Sequence, residues 1–364
     1  MKKIGSLSLG LAFAGCFLGA GYVSGQELWQ FFGAFGSSGI AGLVLAAALL
    51  FFVGVIMLLL GRATGLSDIG RLVIERDVPV LRAAVMVLEG LFLFGIGTIM
   101  SAGVGALIEQ LVSLPSFIGS AVFAAVVALV SLAGLSGMVS AFSATVPVLA
   151  AVTLIFGALS VWENGIVLPQ GAAASSNPLM GSWAVAAVSF ACYNVFGGIA
   201  MVAPLGKFVK SKGTAVGGIA IGTALLLLIA CSVLVSVSAS PEVCSAQLPM
   251  LALAQERGLV WGGVYGVLLL LAMFGTALSG LVALVNMLAA KFPRVETRRK
   301  PFTAVVALGM FLGSLFGFGD LIGVVYPIFG YCSSVFIILM TVHYFRHCHG
   351  GRGDAPTRRG GNSP

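Results

Sequence analysis

The sequence predicts an all-α membrane protein with ten transmembrane helices, arranged as a 5+5 inverted repeat in which helices 1 and 6 are broken. Three observations predict it. The residues are 59% hydrophobic and 9% charged, with mean hydropathy +1.11, a composition that no soluble domain of 364 residues sustains. The basic residues fall on one side of the alternating spans. Two glycine-rich, polar stretches interrupt the first and the sixth span.

Each bilayer core of ~30 Å takes ~20 apolar residues, so the chain holds about ten spans and little else. Span 1 follows Lys3 and runs to about residue 35, too long for one straight crossing. Spans 2 to 5 read as residues 40–60, 80–109, 117–135 and 141–161. Spans 6 to 10 read as 182–206, 213–237, 259–290, 302–318 and 321–344. The organisation is then a first inverted repeat at 1–161, an outside loop at 162–181 and a second repeat at 182–345. Residues 346–364, rich in glycine and arginine, read as a disordered cytoplasmic tail. The loop before span 8 contains a short, helix-like piece at 248–257.

Charge checks the count. With the amino terminus inside, every one of the 19 basic residues except Arg257 lies in an inside segment. Adding or removing one span would scramble that alternation, so the positive-inside rule supports ten spans with both termini cytoplasmic in a bacterial inner membrane. The net charge of +7 does not point to nucleic acid, because Lys and Arg are confined to short segments between apolar runs. The partners expected are the lipid bilayer and a small-molecule substrate. The six cysteines show no metal-ligand spacing, and only Cys244 falls in an outside loop. No Ser/His/Asp set, metal motif or nucleotide loop is present, which disfavours an enzyme.

The first span contains Gly15, Gly19, Gly21 and Gly25, followed by Gln26 and Glu27. Irregular backbone at membrane depth survives only where it is buried in protein or lines a cavity. Ten spans divide into halves of five, so the second half is inserted upside down and span 6 is the counterpart of span 1. Span 6 carries Tyr193, Asn194, Gly197, Gly198 and Pro204, a poor continuous helix. Matched breaks in inverted repeats are a recurring transporter plan with substrate at the breaks. Glycines also serve close helix packing. Two patches in corresponding spans, each joined to polar groups, favour a binding cavity.

The stretch from Gly19 to Glu27, followed by Phe31-Phe32, resembles the first span of the bacterial YkvI-type membrane proteins. The run from Met100 to Ala106, the Tyr193-Asn194 pair and the segment from Ala203 to Gly206 are similar to theirs as well. The likeness covers nearly the whole chain apart from the tail. That family is similar to the amino acid–polyamine–organocation superfamily, which implies a LeuT-type fold and secondary transport of a small organic solute, such as an amino acid or related amine. By this resemblance Gly19, Ala20 and Gly21 present backbone to a substrate carboxylate. Tyr22, Ser24, Tyr193, Asn194, Phe196 and Gly197 complete the expected pocket. The resemblance also implies a sodium site from the carbonyls of Gly15 and Leu18 with Thr276 and Ser279 of span 8, although span 8 lacks the adjacent hydroxyl pair common in sodium-coupled members. Glu27 and Glu89 are the acids placed at or inside the spans, as gate or proton-carrier candidates. Proton coupling, or a sensor that binds its ligand without transport, are the competing readings.

Overall fold

The computed structural model describes residues 3–64, 78–132, 145–171 and 177–350. The first stretch contains α1 (Ser6–Phe17), α2 (Ala20–Ser24), α3 (Gln26–Phe31) and α4 (Ser37–Thr64). Then come α5 (Pro79–Val112), α6 (Ser116–Leu132), α7 (Thr145–Asn164), α8 (Trp183–Val202) and α9 (Lys212–Ala239). The chain continues with α10 (Pro249–Glu256), α11 (Leu259–Lys291), α12 (Pro293–Thr297), α13 (Arg299–Ser314) and α14 (Phe318–Gly350). The described parts of the predicted spans fall mainly on helix, and residues 133–135 of span 4 and 141–144 of span 5 lie outside the described residues. Among the described residues six helices, α4, α5, α7, α9, α11 and α14, are long and apolar enough to cross a bilayer, and α1, α6 and α8 are shorter apolar helices. The expected helical piece before span 8 is α10. The last helix continues through Gly350, past the predicted tail boundary at Arg346, and residues 351–364 lie outside the described residues.

The helices begin where their sequences supply caps. Ser182 and Ser211 accept hydrogen bonds from the Val185 and Thr214 amides, satisfying one first-turn donor of α8 and α9 each. Pro79 opens α5, where its missing N–H removes no helical bond. Large apolar side chains such as Val44 and Phe52 on α4 face outward and are more than half exposed. In a bilayer those faces meet lipid.

Packing follows glycine contacts, because lipid leaves no hydrophobic drive between helices and close backbone approach must supply attraction. α1 lies against α9: a Cβ on Gly10 would stand 2.8 Å from the Gly218 carbonyl, and one on Gly222 would stand 2.7 Å from the Gly10 carbonyl. α8 packs on α4, and the 3-10 turn that follows it (Ala203–Phe208) reaches α4 in the same way. There a Cβ on Gly61 would meet the Ala203 carbonyl at 2.2 Å, and one on Gly206 the Leu58 carbonyl at 2.5 Å. α5 packs on α11, α6 and α13, and α14 lies against α8 and α5. A parallel bridge joins Ile4 to Val209, tying the start of the first span to the end of the sixth.

Candidate functional site

Span 1 is broken twice. Leu18 sits at φ −73°, ψ 63°, with the Gly19 amide donating to the Phe17 carbonyl, an inverse γ-turn. Gly19 is extended (φ −75°, ψ 167°), and the chain resumes as the single turn α2. The Ala20 and Gly21 amides make no hydrogen bond among the described residues, as first-turn donors do when no cap reaches them. Gly25 adopts φ 87°, a left-handed conformation that only glycine reaches at low cost, and α3 starts from it.

Neighbouring side chains hold the displaced turn. Tyr22 donates to the Leu226 carbonyl of α9 at 2.7 Å, and Tyr265 of α11 donates to the Val23 carbonyl at 2.7 Å. Ser24 Oγ donates to the Gly21 carbonyl at 2.9 Å. Each bond contributes about 0.5–1.5 kcal/mol, and an unpaired partner here would cost more than that. α2 is therefore fixed by long-range contacts in place of a regular ladder.

Glu27 folds back over this turn. It is 5% exposed, and its Oε2 lies 2.6 Å from where a Cβ on Gly21 would stand. Tyr193 of α8 donates its hydroxyl to Glu27 Oε1. Asn194, the next residue on α8, donates its amide to the Phe190 carbonyl at 2.9 Å. Tyr326 of α14 stacks on Tyr193 with centroids 4.5 Å apart and an interplanar angle of 15°. Phe31 and Phe190 close the wall at 5.7 and 5.6 Å from the Tyr193 ring. Glu27 has no ion-pair partner among the described residues.

Span 6 departs from expectation. α8 runs unbroken through Tyr193, Asn194, Gly197 and Gly198 to Val202. The expected break at 193–198 is thus corrected, and the contacts give the reason. A Cβ on Gly197 would stand 2.6 Å from the Phe92 ring, and one on Gly198 would stand 2.8 Å from the Phe17 ring. These glycines are sockets for aromatic rings from α5 and α1. Asn194 donates its amide to the Phe190 carbonyl four residues back on its own helix, a bond made within a continuous helix. The irregular stretch starts only at Ala203, where Pro204 cannot extend the α-helical ladder.

The remaining candidates separate. Phe196 packs between Phe92 and Phe336, both at 6.1 Å, one turn along α8 from Tyr193. Gly15 is interior to α1 and its missing Cβ faces open space. Thr276 donates to the Ala272 carbonyl at 2.9 Å and Ser279 to the Gly275 carbonyl at 2.7 Å, each within α11. Glu89 is half-buried on α5. Sequence reading missed Phe190 and Tyr326. It also missed an amide cluster outside Glu27. There Gln30 donates to the Gly319 carbonyl at 2.9 Å, and Asn177 donates to the Gly323 carbonyl at 2.6 Å. Gly323 lies four residues before Pro327, whose missing N–H leaves that carbonyl free for Asn177. A tyrosine beside an intrahelical proline in the last span was the available signal.

No protein-family model matches the chain. It is 25% identical over 340 residues to the uncharacterized membrane protein YkvI of Bacillus subtilis (strain 168), covering 92% of this chain and 95% of that one. It is 26% identical over 341 residues, with the same coverage, to the uncharacterized protein YyaD of the same organism. Among solved structures it matches inward-facing Mhp1 with TM-score 0.61 at 17% identity, over 95% of this chain and 78% of that one. Mhp1 is described as a nucleobase-cation-symport-1 family transporter. It matches MhsT in complex with L-phenylalanine with TM-score 0.61 at 16% identity, over 96% and 90%. YkvI is thus named as a membrane protein and Mhp1 as a transporter. The chain is a multi-pass membrane protein similar to YkvI and YyaD along nearly its whole length, and it carries the LeuT-type fold.

Proposed function

We propose that the chain is a secondary active transporter of a small organic solute, an amino acid or a related amine, working by alternating access around its broken first span. One observation carries the reading. The break in span 1 places a buried carboxyl, Glu27, against Tyr193 of the counterpart span, with Gly19, Ala20 and Gly21 beside it. The pocket residues are Gly19, Ala20, Gly21, Tyr22, Ser24, Tyr193, Asn194, Phe196 and Gly197. The neighbours named above bind small organic solutes in the same fold, L-phenylalanine in MhsT and bromovinylhydantoin in Mhp1.

Ten crossings and a 5+5 repeat fit the packing. Inverting the halves exchanges span 1 with 6, 2 with 7, 3 with 8, 4 with 9 and 5 with 10. The contact of span 1 with 7 then corresponds to that of span 6 with 2, and both are sealed by glycine against backbone. Span 3 with 10 corresponds to 8 with 5, and span 3 with 9 to 8 with 4; all four pairs touch. The one-sided distribution of the basic residues supports an orientation with both termini in the cytoplasm of a bacterium.

Two couplings are distinguished by residues. Sodium would use the Gly15 and Leu18 carbonyls with Thr276 and Ser279, whose oxygens keep lone pairs after donating to their own helix. A proton would ride on Glu27, and the observation favouring it is a buried carboxyl that has no basic partner among the described residues. Uptake of pooled radiolabelled amino acids and amines into proteoliposomes, with and without a sodium gradient or a pH gradient, tests the reading. Saturable ligand stabilisation without uptake of any pool would favour a sensor instead.

A further inference from the structure

The geometry points to a solute that is an organic cation without a carboxylate: an amine whose ammonium pairs with Glu27 and lies against the Tyr193–Tyr326 wall. This deepens the transporter reading and rests on it. The resemblance assigns the backbone of Gly19, Ala20 and Gly21 to a substrate carboxylate. In the structure the protein's own carboxylate stands there, with Glu27 Oε2 packed on Gly21. A second carboxylate brought to the same turn meets a like charge at close range in a poorly screened site, where repulsion is strong. An ammonium meets the opposite. It finds a carboxyl that is 5% exposed and that, among the described residues, takes its side-chain hydrogen bond from a neutral donor, the Tyr193 hydroxyl.

The walls fit the same charge. Tyr193 and Tyr326 stack at 4.5 Å, Phe31 and Phe190 stand beside Tyr193, and Tyr22 lies 6.2 Å from Phe190. Aromatic faces next to a carboxylate are the chemistry that holds ammonium groups, because the ring quadrupole attracts cations. The polar groups gathered at Glu27 are neutral: Tyr193 of α8 donates to it, Tyr326 of α14 stacks on Tyr193, and Tyr22 of α2 and Asn194 of α8 donate to the Leu226 and Phe190 carbonyls. None of them brings a positive charge. On binding, the ammonium replaces the Tyr193 hydroxyl as the donor to Glu27, and the ring faces take the rest of its charge.

The test uses the full chain in detergent, with binding read by calorimetry and thermal shift in potassium chloride and then in sodium chloride. Two matched sets serve as probes: n-butylamine, L-norvaline and pentanoate; and phenethylamine, L-phenylalanine and 3-phenylpropionate. In at least one set the amine is expected to bind at least about tenfold tighter than the amino acid, with no binding of the anion. Glu27→Gln should erase that preference, Glu27→Asp should keep it, and Tyr326→Leu should weaken the amine about threefold to tenfold. No saturable binding of either amine overturns the inference. So does tighter binding of the amino acid or the anion, or an unchanged preference in Glu27→Gln. Tighter amino-acid binding accompanied by uptake in proteoliposomes would sink the cation assignment and leave the transporter standing. Binding without uptake of any probe would sink the transporter and leave the cation site.

Discussion

Spans 1 and 6 are counterparts in the proposed repeat, and both carry glycines beside polar side chains. Only span 1 breaks within its helical core. Its glycines do two things that no other residue does there: Gly25 takes a left-handed φ of 87°, and Gly21 leaves room for the Glu27 carboxyl. The glycines of α8 stay helical and receive the Phe92 and Phe17 rings. The difference teaches that a glycine's role is set by its neighbour, since one composition permits either an open turn or a socket. The site is asymmetric as a result. In the candidate site span 1 supplies the irregular backbone and the Glu27 carboxyl, and span 6 supplies a helical surface with the Tyr193 ring and hydroxyl.

The comparison breaks most sharply at Gly21. Gly21→Val should reduce uptake about 100-fold with the protein still inserted, because a Cβ already stands 2.6 Å from Glu27 Oε2. Initial uptake rates normalised to reconstituted protein check it, and a wild-type rate would remove the site from this turn. Next come the sockets. Gly197→Ala and Gly198→Ala should each destabilise by about 1–3 kcal/mol through overpacking. Pairing them with Phe92→Leu or Phe17→Leu should recover part of the loss in thermal unfolding. If the glycines instead marked a hinge, the leucine partners would recover nothing.

A smaller effect separates the two kinds of glycine within span 1. Gly25→Ala should cost about 1–2 kcal/mol from its positive φ, whereas Gly15→Ala, in open space inside α1, should be neutral or stabilise by up to about 1 kcal/mol. Equal unfolding temperatures for the two variants would contradict the left-handed turn. The smallest change is expected at Thr276→Ala. Its hydroxyl bonds within its own helix, so stability should move by less than about 0.5 kcal/mol. A raised sodium requirement for uptake in this variant would place a sodium site in span 8, and an unchanged one would leave Glu27 as the coupling group.

Much of the fold was legible because membrane physics writes it into the sequence at short range. Lys and Arg avoid the bilayer interior, so Arg62, Lys207 and Lys291 mark helix ends regardless of what the helices touch. That span 1 is interrupted was legible for a similar local reason: Gly19, Gly21 and Gly25 crowd one short stretch beside Gln26 and Glu27. The site was less legible because its contacts are remote. Glu27 and Tyr193 are 166 residues apart, and Tyr326 comes from the last helix. Nothing in the local pattern of Gly197-Gly198 says that phenylalanines from α5 and α1 will fill the space. Glu27 was read as a gate outside the substrate, because only the fold shows α3 turning its carboxyl back onto Gly21.

Counterflow tests the central claim most directly. Proteoliposomes carrying the wild-type chain are preloaded with an unlabelled solute that binds it, and entry of the labelled solute is followed with no ion gradient. Alternating access predicts faster entry into preloaded vesicles than into empty ones, with the acceleration lost in Gly21→Val. Saturable binding of the same solute with no entry into either set of vesicles would contradict the account.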